Sequence, residues 1–334
     1  MSTDPSGVDP QVAERATLRD RLSRVVPGDA WTIGLLVIVV VLFLFTRLLR
    51  PNFELSALAI ASLPVAFAAV GQAIVVISGG IDLSIGSVMA LTNVIAALLL
   101  VDASTELSVG IVVLVLLIGL AIGVLNGVLV VVTRVPDIVV TLAMLFVWAG
   151  TALLVLGTPG GASAPWLREL VTGELGIDLL PRALVVLLVI VAVIWIPLRR
   201  SRLGLSMYAI GSDQLAAFRS GVGVARTKVA AYGFAGLFAA LGGLSLTAST
   251  GIGTPIPGPY LLLSVAAIVL GGVSLAGGRG GLLGPIVGIY ILGLIRADLA
   301  FLGVESAYST VTQGAIMVGV VMLGAYLTLR RRTA

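Results

Sequence analysis

The side chains of this chain that could do chemistry are few, and most of them are neutral. The sequence contains no cysteine and no histidine, which excludes disulfides, thiol catalysis, haem ligation through histidine and the usual zinc sites. The polar residues inside its long apolar segments are amides and hydroxyls: Gln72, Thr92, Asn93, Asn126, Thr141, Ser245, Thr247 and Gln313. Such groups suit an uncharged, hydroxylated solute, although each one could equally hydrogen-bond one helix to another.

Acidic residues within the apolar segments stand only near the segment ends, at Asp82 and Asp298. Because proton-coupled carriers usually need ionisable groups in the membrane as a relay, this disfavours an ion-coupled secondary transporter. A membrane enzyme is disfavoured too, since no mid-membrane group supplies a nucleophile or a base. No Gly-x-x-x-x-Gly-Lys-Ser/Thr loop is present, so the sequence predicts no nucleotide site and no metal site of its own.

Composition defines the broad class. Hydrophobic residues make up 59% of the 334 residues, only 11% are charged, and the mean hydropathy is +1.17. Soluble domains are about half apolar, so the sequence predicts an all-α integral membrane protein. The net charge of +4 does not indicate a nucleic-acid partner, because the basic residues lie between apolar segments, where they set orientation in the membrane.

The apolar segments predict about ten membrane spans, some of them short or broken. A polar tail over residues 1–30 precedes a transmembrane domain over 31–329, and residues 330–334 form a short C-terminal tail. Most segments reach the about 20 residues that cross a bilayer, and 260–273 is the short one. The expected spans are 31–49, 56–78, 84–101, 107–132, 138–157, 181–198, 228–249, 260–273, 282–301 and 307–329.

Basic residues predict that both termini lie in the cytosol. Ten spans place the two termini on one side, and with that side inside, most of the 20 basic residues face the cytosol. Those left outside are Arg47, Arg50, Arg168, Arg182 and Arg296. The basic loop 199–228 is therefore predicted to lie on the cytosolic side of the membrane.

Two glycine-rich stretches interrupt the apolar pattern. The first reads Ser78-Gly79-Gly80-Ile81-Asp82-Leu83-Ser84, and Asp82 or Ser84 could cap the helix that restarts there. The second begins Gly271-Gly272-Val273-Ser274 and extends to residue 281. Both follow spans of the same direction, so they are candidates for corresponding points of a parallel repeat. Such breaks expose backbone polar groups, which a membrane tolerates only inside protein or beside a wet cavity.

The basic loop contains a predicted short helix at about 212–221. Ser212 or Asp213 can accept from its first N–H groups, and Gly221 stands where a helix ends. Leu215 and Phe218 share one face. A two-turn helix cannot bury that face alone. On a cytosolic loop it is either a docking surface for a partner or it lies on its own membrane domain.

These motifs together resemble the permease subunit of a ribose-type (carbohydrate) ABC importer, over about residues 52 to 325. The most specific piece is Gly79-Gly80-Ile81-Asp82-Leu83-Ser84-Ile85-Gly86-Ser87, close to GGIDLSVGS. The other matching pieces are Asn126-Gly127, Thr141-Leu142, Tyr208-Ala209-Ile210-Gly211-Ser212-Asp213, Ala216-Ala217, Ser220-Gly221-Val222 and Gly271 to Gly280. The sequence departs from the family pattern at Asp213, where Asn is usual, and at Pro285, where Thr is common.

The resemblance implies an ABC importer permease fold that works with several partners. These are a second permease chain (identical or related), ABC ATPase subunits that bind ATP and Mg²⁺, and an extracytoplasmic solute-binding protein. The short helix would be the coupling helix that docks into the ATPase, with Gly211, Ser212, Asp213, Leu215, Ala216, Ala217, Phe218, Ser220 and Gly221. Candidates for the translocation pathway are Gln72, Gly79, Gly80, Asp82, Ser84, Asn93, Asn126, Thr141, Gly271, Gly272 and Ser274.

The leading hypothesis is thus a permease that imports a sugar or a sugar-like solute. A permease for branched-chain amino acids shares the architecture and is its nearest rival. The Gly-Gly-Ile-Asp-Leu-Ser and Gly-Gly-Val-Ser-Leu-Ala-Gly-Gly elements favour the sugar class.

Overall fold

A computed structural model shows a chain whose regular structure, in the residues it describes, is helical. It describes residues 27–176, 180–305 and some positions between 307 and 322. The two terminal tails expected at 1–30 and 330–334 therefore lie almost entirely outside the described residues. The helices are α1 Pro27–Leu49, α2 Leu55–Ile77, α3 Ile85–Leu99, α4 Thr105–Thr133, α5 Asp137–Val155, α6 Pro165–Thr172, α7 Arg182–Arg200, α8 Arg202–Ser212, α9 Gln214–Arg219, α10 Val224–Thr250, α11 Tyr260–Leu270 and α12 Leu283–Phe301.

Helix α2 forms the centre of the bundle. Nearly all of its residues from Leu58 onward are buried, and α3, α7, α10, α11 and α12 all contact it. Its many alanines and Gly71 let neighbouring backbones approach closely, which is how helices associate in a membrane. Phe67 of α2 and Phe238 of α10 are both buried, with ring centroids 6.4 Å apart. The bundle is therefore organised around the helix that leads into the first glycine break.

Glycines hold α4 and α10 against each other. A methyl group on Gly123 of α4 would lie 3.0 Å from the Cα of Gly236 of α10, and one on Gly127 would lie 2.8 Å from the Cα of Val229. Real Cβ atoms do not approach backbone that closely, so these positions need glycine. These glycines form a helix-packing surface of α4, and Asn126, next to Gly127, is fully buried.

The described residues contain seven helices that are long and apolar enough to cross a membrane. Two further apolar helices, α3 and α11, have 15 and 11 residues, fewer than the about 20 that a full crossing needs. Each is bounded by a glycine break: α3 begins just after the first break, and α11 ends at the second. The tenth expected span, 307–329, lies mostly outside the described residues, so the count of ten remains a prediction.

The helix ends separate into two sets. Gly278 N–H donates to the carbonyl oxygen of Ile77 at 3.0 Å, and the Tyr208 hydroxyl donates to that of Gly280 at 2.8 Å. Both glycine breaks and the basic loop therefore lie at one end of the bundle. At the other end, Gly160 and Gly253 exchange backbone hydrogen bonds, and α6 is held by Trp166, whose indole N–H donates to Ser108 Oγ at 2.7 Å.

Candidate functional site

The predicted short helix exists as α9, and Asp213 caps it. Asp213 Oδ1 accepts hydrogen bonds from Leu215 N–H and Ala216 N–H, both at 2.9 Å. Ser212, the other candidate cap, is the last residue of α8. At the far end Gly221 has φ +82°, and Val222 N–H donates to the Ala217 carbonyl oxygen, which closes the helix. An aspartate in place of the usual Asn therefore leaves the capping intact.

Leu215 and Phe218 of α9 are exposed, whereas Ala217 is buried. Their exposed fractions are 58% and 67%, whereas that of Ala217 is 6%. Ala217, expected on the docking surface, instead packs against its own chain, because it lies on the opposite face of a helix only two turns long. A groove of about 770 Å³ opens beside Phe218, and its lining includes Arg134, Asp137 and Lys228. The available docking surface is thus an apolar pair at the edge of a charged groove.

The two glycine breaks share one backbone geometry. Gly79 and Gly272 are the residues with positive φ, at +79° and +77°. Gly79 N–H donates three residues back to Val76 and Gly80 N–H donates five back to Val75. Gly272 and Val273 repeat that pattern with Val269 and Ile268. Gly79 therefore corresponds in geometry to Gly272, the first glycine of one Gly-Gly pair to the second of the other, because a helix end needs only its left-handed residue to be glycine.

Four glycines join the two breaks to the basic loop. A Cβ on Gly277 would lie 3.0 Å from the Cα of Gly79 and 2.8 Å from the carbonyl oxygen of Gly211. A Cβ on Gly211 would collide with the carbonyl oxygen of Ile77 and with the backbone nitrogen of Gly278. We refer to Gly79, Gly211, Gly277 and Gly278 as the glycine junction. Backbone contacts that close transmit a displacement of α8 directly to the end of α2.

A buried polar network holds the chain between the first break and α3. Asp82 Oδ1 accepts from Ser84 N–H at 2.8 Å and from Ser84 Oγ at 2.6 Å. Asn126 Nδ2 donates to Ser84 Oγ at 2.8 Å, and the indole N–H of Trp148 donates to Asn126 Oδ1 at 3.2 Å. Residues from α4 and α5 thus fix the Asp82–Ser84 turn. No local pattern marked Trp148, because its partner Asn126 lies on another helix, 22 residues earlier in the chain.

A second group of side chains, which was not predicted from the sequence, also forms hydrogen bonds with the same turn. Thr141 Oγ1 accepts from Leu83 N–H at 3.1 Å, and its one proton has two acceptors, the Asp137 carbonyl oxygen at 2.9 Å and the Ile81 carbonyl oxygen at 3.1 Å. The Tyr232 hydroxyl lies 3.3 Å from the Ile81 carbonyl oxygen and 3.0 Å from Asp137 Oδ2. Asp137 also forms an ion pair with Lys228 at 3.4 Å. Lys228 is the single lysine of the chain, and that was the signal that could have marked it.

Asn93 belongs to the opposite end of the bundle. Its Nδ2 donates to Thr247 Oγ1 at 2.8 Å, and its Oδ1 accepts from Thr254 N–H at 2.7 Å. The side chain is buried and its hydrogen-bonding groups are satisfied. Asn93 therefore clamps α3 to α10 and to the loop that follows α10, which is distant from the breaks with which the sequence grouped it.

Gln72 differs from the other polar pathway candidates. It lies in the last third of α2, is fully buried, and neither Nε2 nor Oε1 has a hydrogen-bond partner within the described residues. An amide buried without partners costs about 1–3 kcal/mol. Asn126, Thr141, Ser84 and Asp82, by comparison, all have partners.

The second break is built from backbone and one tryptophan. Ser274 N–H donates to the Arg279 carbonyl oxygen at 3.1 Å, and the indole N–H of Trp31 donates to the Leu270 carbonyl oxygen at 3.0 Å. A Cβ on Gly271 would collide with the backbone of Gly284 and Pro285. Pro285 is in the first turn of α12, where its missing N–H costs no helical hydrogen bond. The proline that departs from the family pattern therefore fits this helix.

Electrostatics at the site involve few groups. Burial raises the pKa of Tyr208, which stays a neutral donor to the Gly280 carbonyl. Among the residues that the structure describes, no cluster of three or more acidic side chains could hold a metal ion. Apart from the Asp137–Lys228 ion pair and the Asp82 carboxylate, the site consists of packed helix ends and hydrogen bonds between neutral groups, which suits a conformational change better than catalysis.

These features define a polytopic membrane protein whose helix breaks meet an exposed short helix on one side. The family described as the permease component of the branched-chain amino acid transport system matches residues 54–321, and the chain belongs to that family. It is accordingly a transport component and not an enzyme.

Its curated relatives are import permeases. The ribose import permease protein RbsC of Escherichia coli K12 is 33% identical over 264 residues, which cover 77% of this chain and 81% of that protein. The ribose import permease of Haemophilus influenzae is 32% identical over 274 residues, or 80% and 83% of the two chains. The autoinducer 2 import system permease LsrD of Escherichia coli HS is 30% identical over 264 residues, or 77% and 79%. No solved structure matches the chain.

Proposed function

We propose that the chain is the membrane permease of an ATP-driven importer for a sugar or a sugar-like solute. The observation that carries this proposal is the uncovered apolar pair Leu215 and Phe218 on a capped helix that is joined, through the glycine junction, to both helix breaks. The relatives that the chain resembles over most of its length are ribose and autoinducer 2 import permeases. Their names favour the sugar class over branched-chain amino acids, although the family description carries the latter name.

The partners follow from that function. An ABC ATPase would receive Leu215 and Phe218 of α9 and would bind the ATP and Mg²⁺, since this chain has no phosphate-binding loop. A second permease chain would complete the pathway, and an extracytoplasmic binding protein would deliver the solute to the end of the bundle that carries α6. The location that fits is a bacterial plasma membrane.

Transport assays test the function and the solute class together. The complex of this chain with its ATPase and binding protein is reconstituted in vesicles, and uptake of labelled ribose, xylose, arabinose, galactose and leucine is measured with and without ATP. We expect ATP-dependent uptake of at least one sugar and none of leucine. Uptake of leucine alone would reassign the solute class, and uptake that needs no ATPase would make the chain a secondary transporter.

Gln72 is the side chain that we propose as a solute contact, because its buried amide offers both a donor and an acceptor without a partner. Gln72→Met keeps the length of the side chain and removes both polar atoms. We expect it to raise the melting temperature, since it removes a cost of about 1–3 kcal/mol, and to lower sugar uptake about tenfold or more. Unchanged uptake by a more stable Gln72→Met protein would make Gln72 a packing residue; Asn93→Leu, which removes satisfied bonds, should instead lower the melting temperature.

The orientation of the chain is a further prediction. With both termini in the cytosol, the loop that contains α6 is outside and the end with the glycine junction is inside. A reporter active only outside should work when fused at Gly176 and fail when fused at Ala334, and a reporter active only inside should do the reverse. Agreement between the two positions would mean an even number of spans between them and would contradict this orientation.

A further inference from the structure

We propose that Asp137, Lys228 and Tyr232 form a linkage that couples the position of the docking helix α9 to the shape of the first break. They act as positioning residues, and their role rests on the proposed function as an ATP-driven permease. The three residues come from two helices: Asp137 is the first residue of α5, whereas Lys228 and Tyr232 lie near the start of α10, which follows α9 along the chain.

The ion pair is largely removed from water. The side chains of Lys228 and Asp137 are 13% and 16% exposed, and Nζ lies 3.4 Å from Oδ2. Both residues line the groove of about 770 Å³ whose other wall includes Gln214 and Phe218 of α9. A shift of α9 against the membrane domain therefore changes the walls of the groove in which the pair is held. Because the pair is poorly screened, its energy responds strongly to such a shift.

Tyr232 extends the linkage to the break. Its hydroxyl has one proton and two acceptors, Asp137 Oδ2 at 3.0 Å and the Ile81 carbonyl oxygen at 3.3 Å. Tyr232 is fully buried, so water does not compete for that proton. When Lys228 draws the Asp137 carboxylate away, the Tyr232 hydroxyl donates to the Ile81 carbonyl oxygen. When the carboxylate is close, the hydroxyl donates to Asp137, and the Ile81 carbonyl oxygen is left to the Thr141 hydroxyl. Two alternative partners for one proton make a two-state element that both sites can bias.

The backbone of the first break is packed directly against the Tyr232 hydroxyl and the Asp137 carboxylate. A Cβ on Gly80 would lie 2.7 Å from Asp137 Oδ2 and 2.9 Å from the Tyr232 hydroxyl, so the backbone of the break is in direct contact with both groups. The opposite side of the break is fixed by the glycine junction. A change of partner at Tyr232 therefore alters the Gly80–Ile81 backbone in preference to the helix end at Gly79.

Thiol labelling of the assembled importer tests the linkage without a transported solute. The chain has no cysteine, so Ile81→Cys creates its one reactive thiol. Its rate of reaction with a membrane-impermeant maleimide is measured in the complex with the ATPase, without nucleotide and after trapping with ATP and vanadate. We expect the two rates to differ about fivefold or more. Adding Asp137→Asn, or Tyr232→Phe, should reduce the difference to less than about twofold, with the ATPase still bound.

Matched variants separate the linkage from general destabilisation. Asp102→Asn makes the same change at an exposed site of the opposite end and should keep the full nucleotide response, as should Lys228→Arg, which keeps the charge. A response that survives in both Asp137→Asn and Tyr232→Phe would overturn the linkage. So would equal rates in the parent Ile81→Cys complex. A chain that assembles with no ATPase at all would instead contradict the proposed function.

Discussion

Gly211→Ala should abolish most of the transport activity while leaving the chain in the membrane. The new methyl group would collide with the carbonyl oxygen of Ile77 and the backbone nitrogen of Gly278. Both are backbone atoms and cannot rotate away, so α8 must separate from the end of α2. Alanine favours a helix over glycine by about 1 kcal/mol, so α8 itself should not unfold; the loss falls on the junction, where overpacking costs about 1–3 kcal/mol.

The measurements are ATP-dependent sugar uptake and melting temperature of the purified complex. We expect uptake to fall about tenfold or more and the melting temperature to fall by several degrees. Gly223→Ala is the matched control, because Gly223 belongs to the same loop and a methyl group there meets no atom within 4 Å. Gly211→Ala with the uptake and stability of the parent would show that the junction transmits nothing.

Local features of this chain were predictable from sequence. The cap at Asp213 and the helix end at Gly221 depend on neighbouring residues only, and the structure has both. The glycine breaks were likewise visible, since a break in a membrane segment needs residues that permit a turn. Helix boundaries agreed closely for the long spans, and α11 was already expected to be short.

Features set by distant parts of the chain were not predictable in the same way. The face of α9 that carries Ala217 could not be distinguished from the exposed face, because a six-residue helix gives no periodicity from which to read burial. Tyr232 and Trp148 reach partners on other helices, more than a hundred residues away in the case of Tyr232 and Ile81. The glycine junction joins three segments whose contact the sequence does not encode locally.

Phe218→Asp should separate the permease from its ATPase without disturbing the permease itself. Because Phe218 is 67% exposed, it contributes little to the stability of the permease, and its replacement should lower that stability little. In the docked complex the carboxylate would have to lose its water, at a cost on the order of a few kcal/mol. A loss of about 3 kcal/mol weakens an interface more than a hundredfold. Co-purification of the ATPase and sugar-stimulated ATP hydrolysis are the measurements.

Companion variants distinguish docking from folding. Phe218→Leu keeps an apolar side chain and should retain the ATPase, and Arg200→Glu, at the end of α7 and outside α9, should disturb it far less. A different result is expected for Ala217→Glu, because Ala217 is buried in its own chain. That substitution should lower the melting temperature of the permease even without the ATPase. Phe218→Asp should not. If Phe218→Asp retains the ATPase at the parent level, the docking surface lies elsewhere on the cytosolic end, and α9 only supports it.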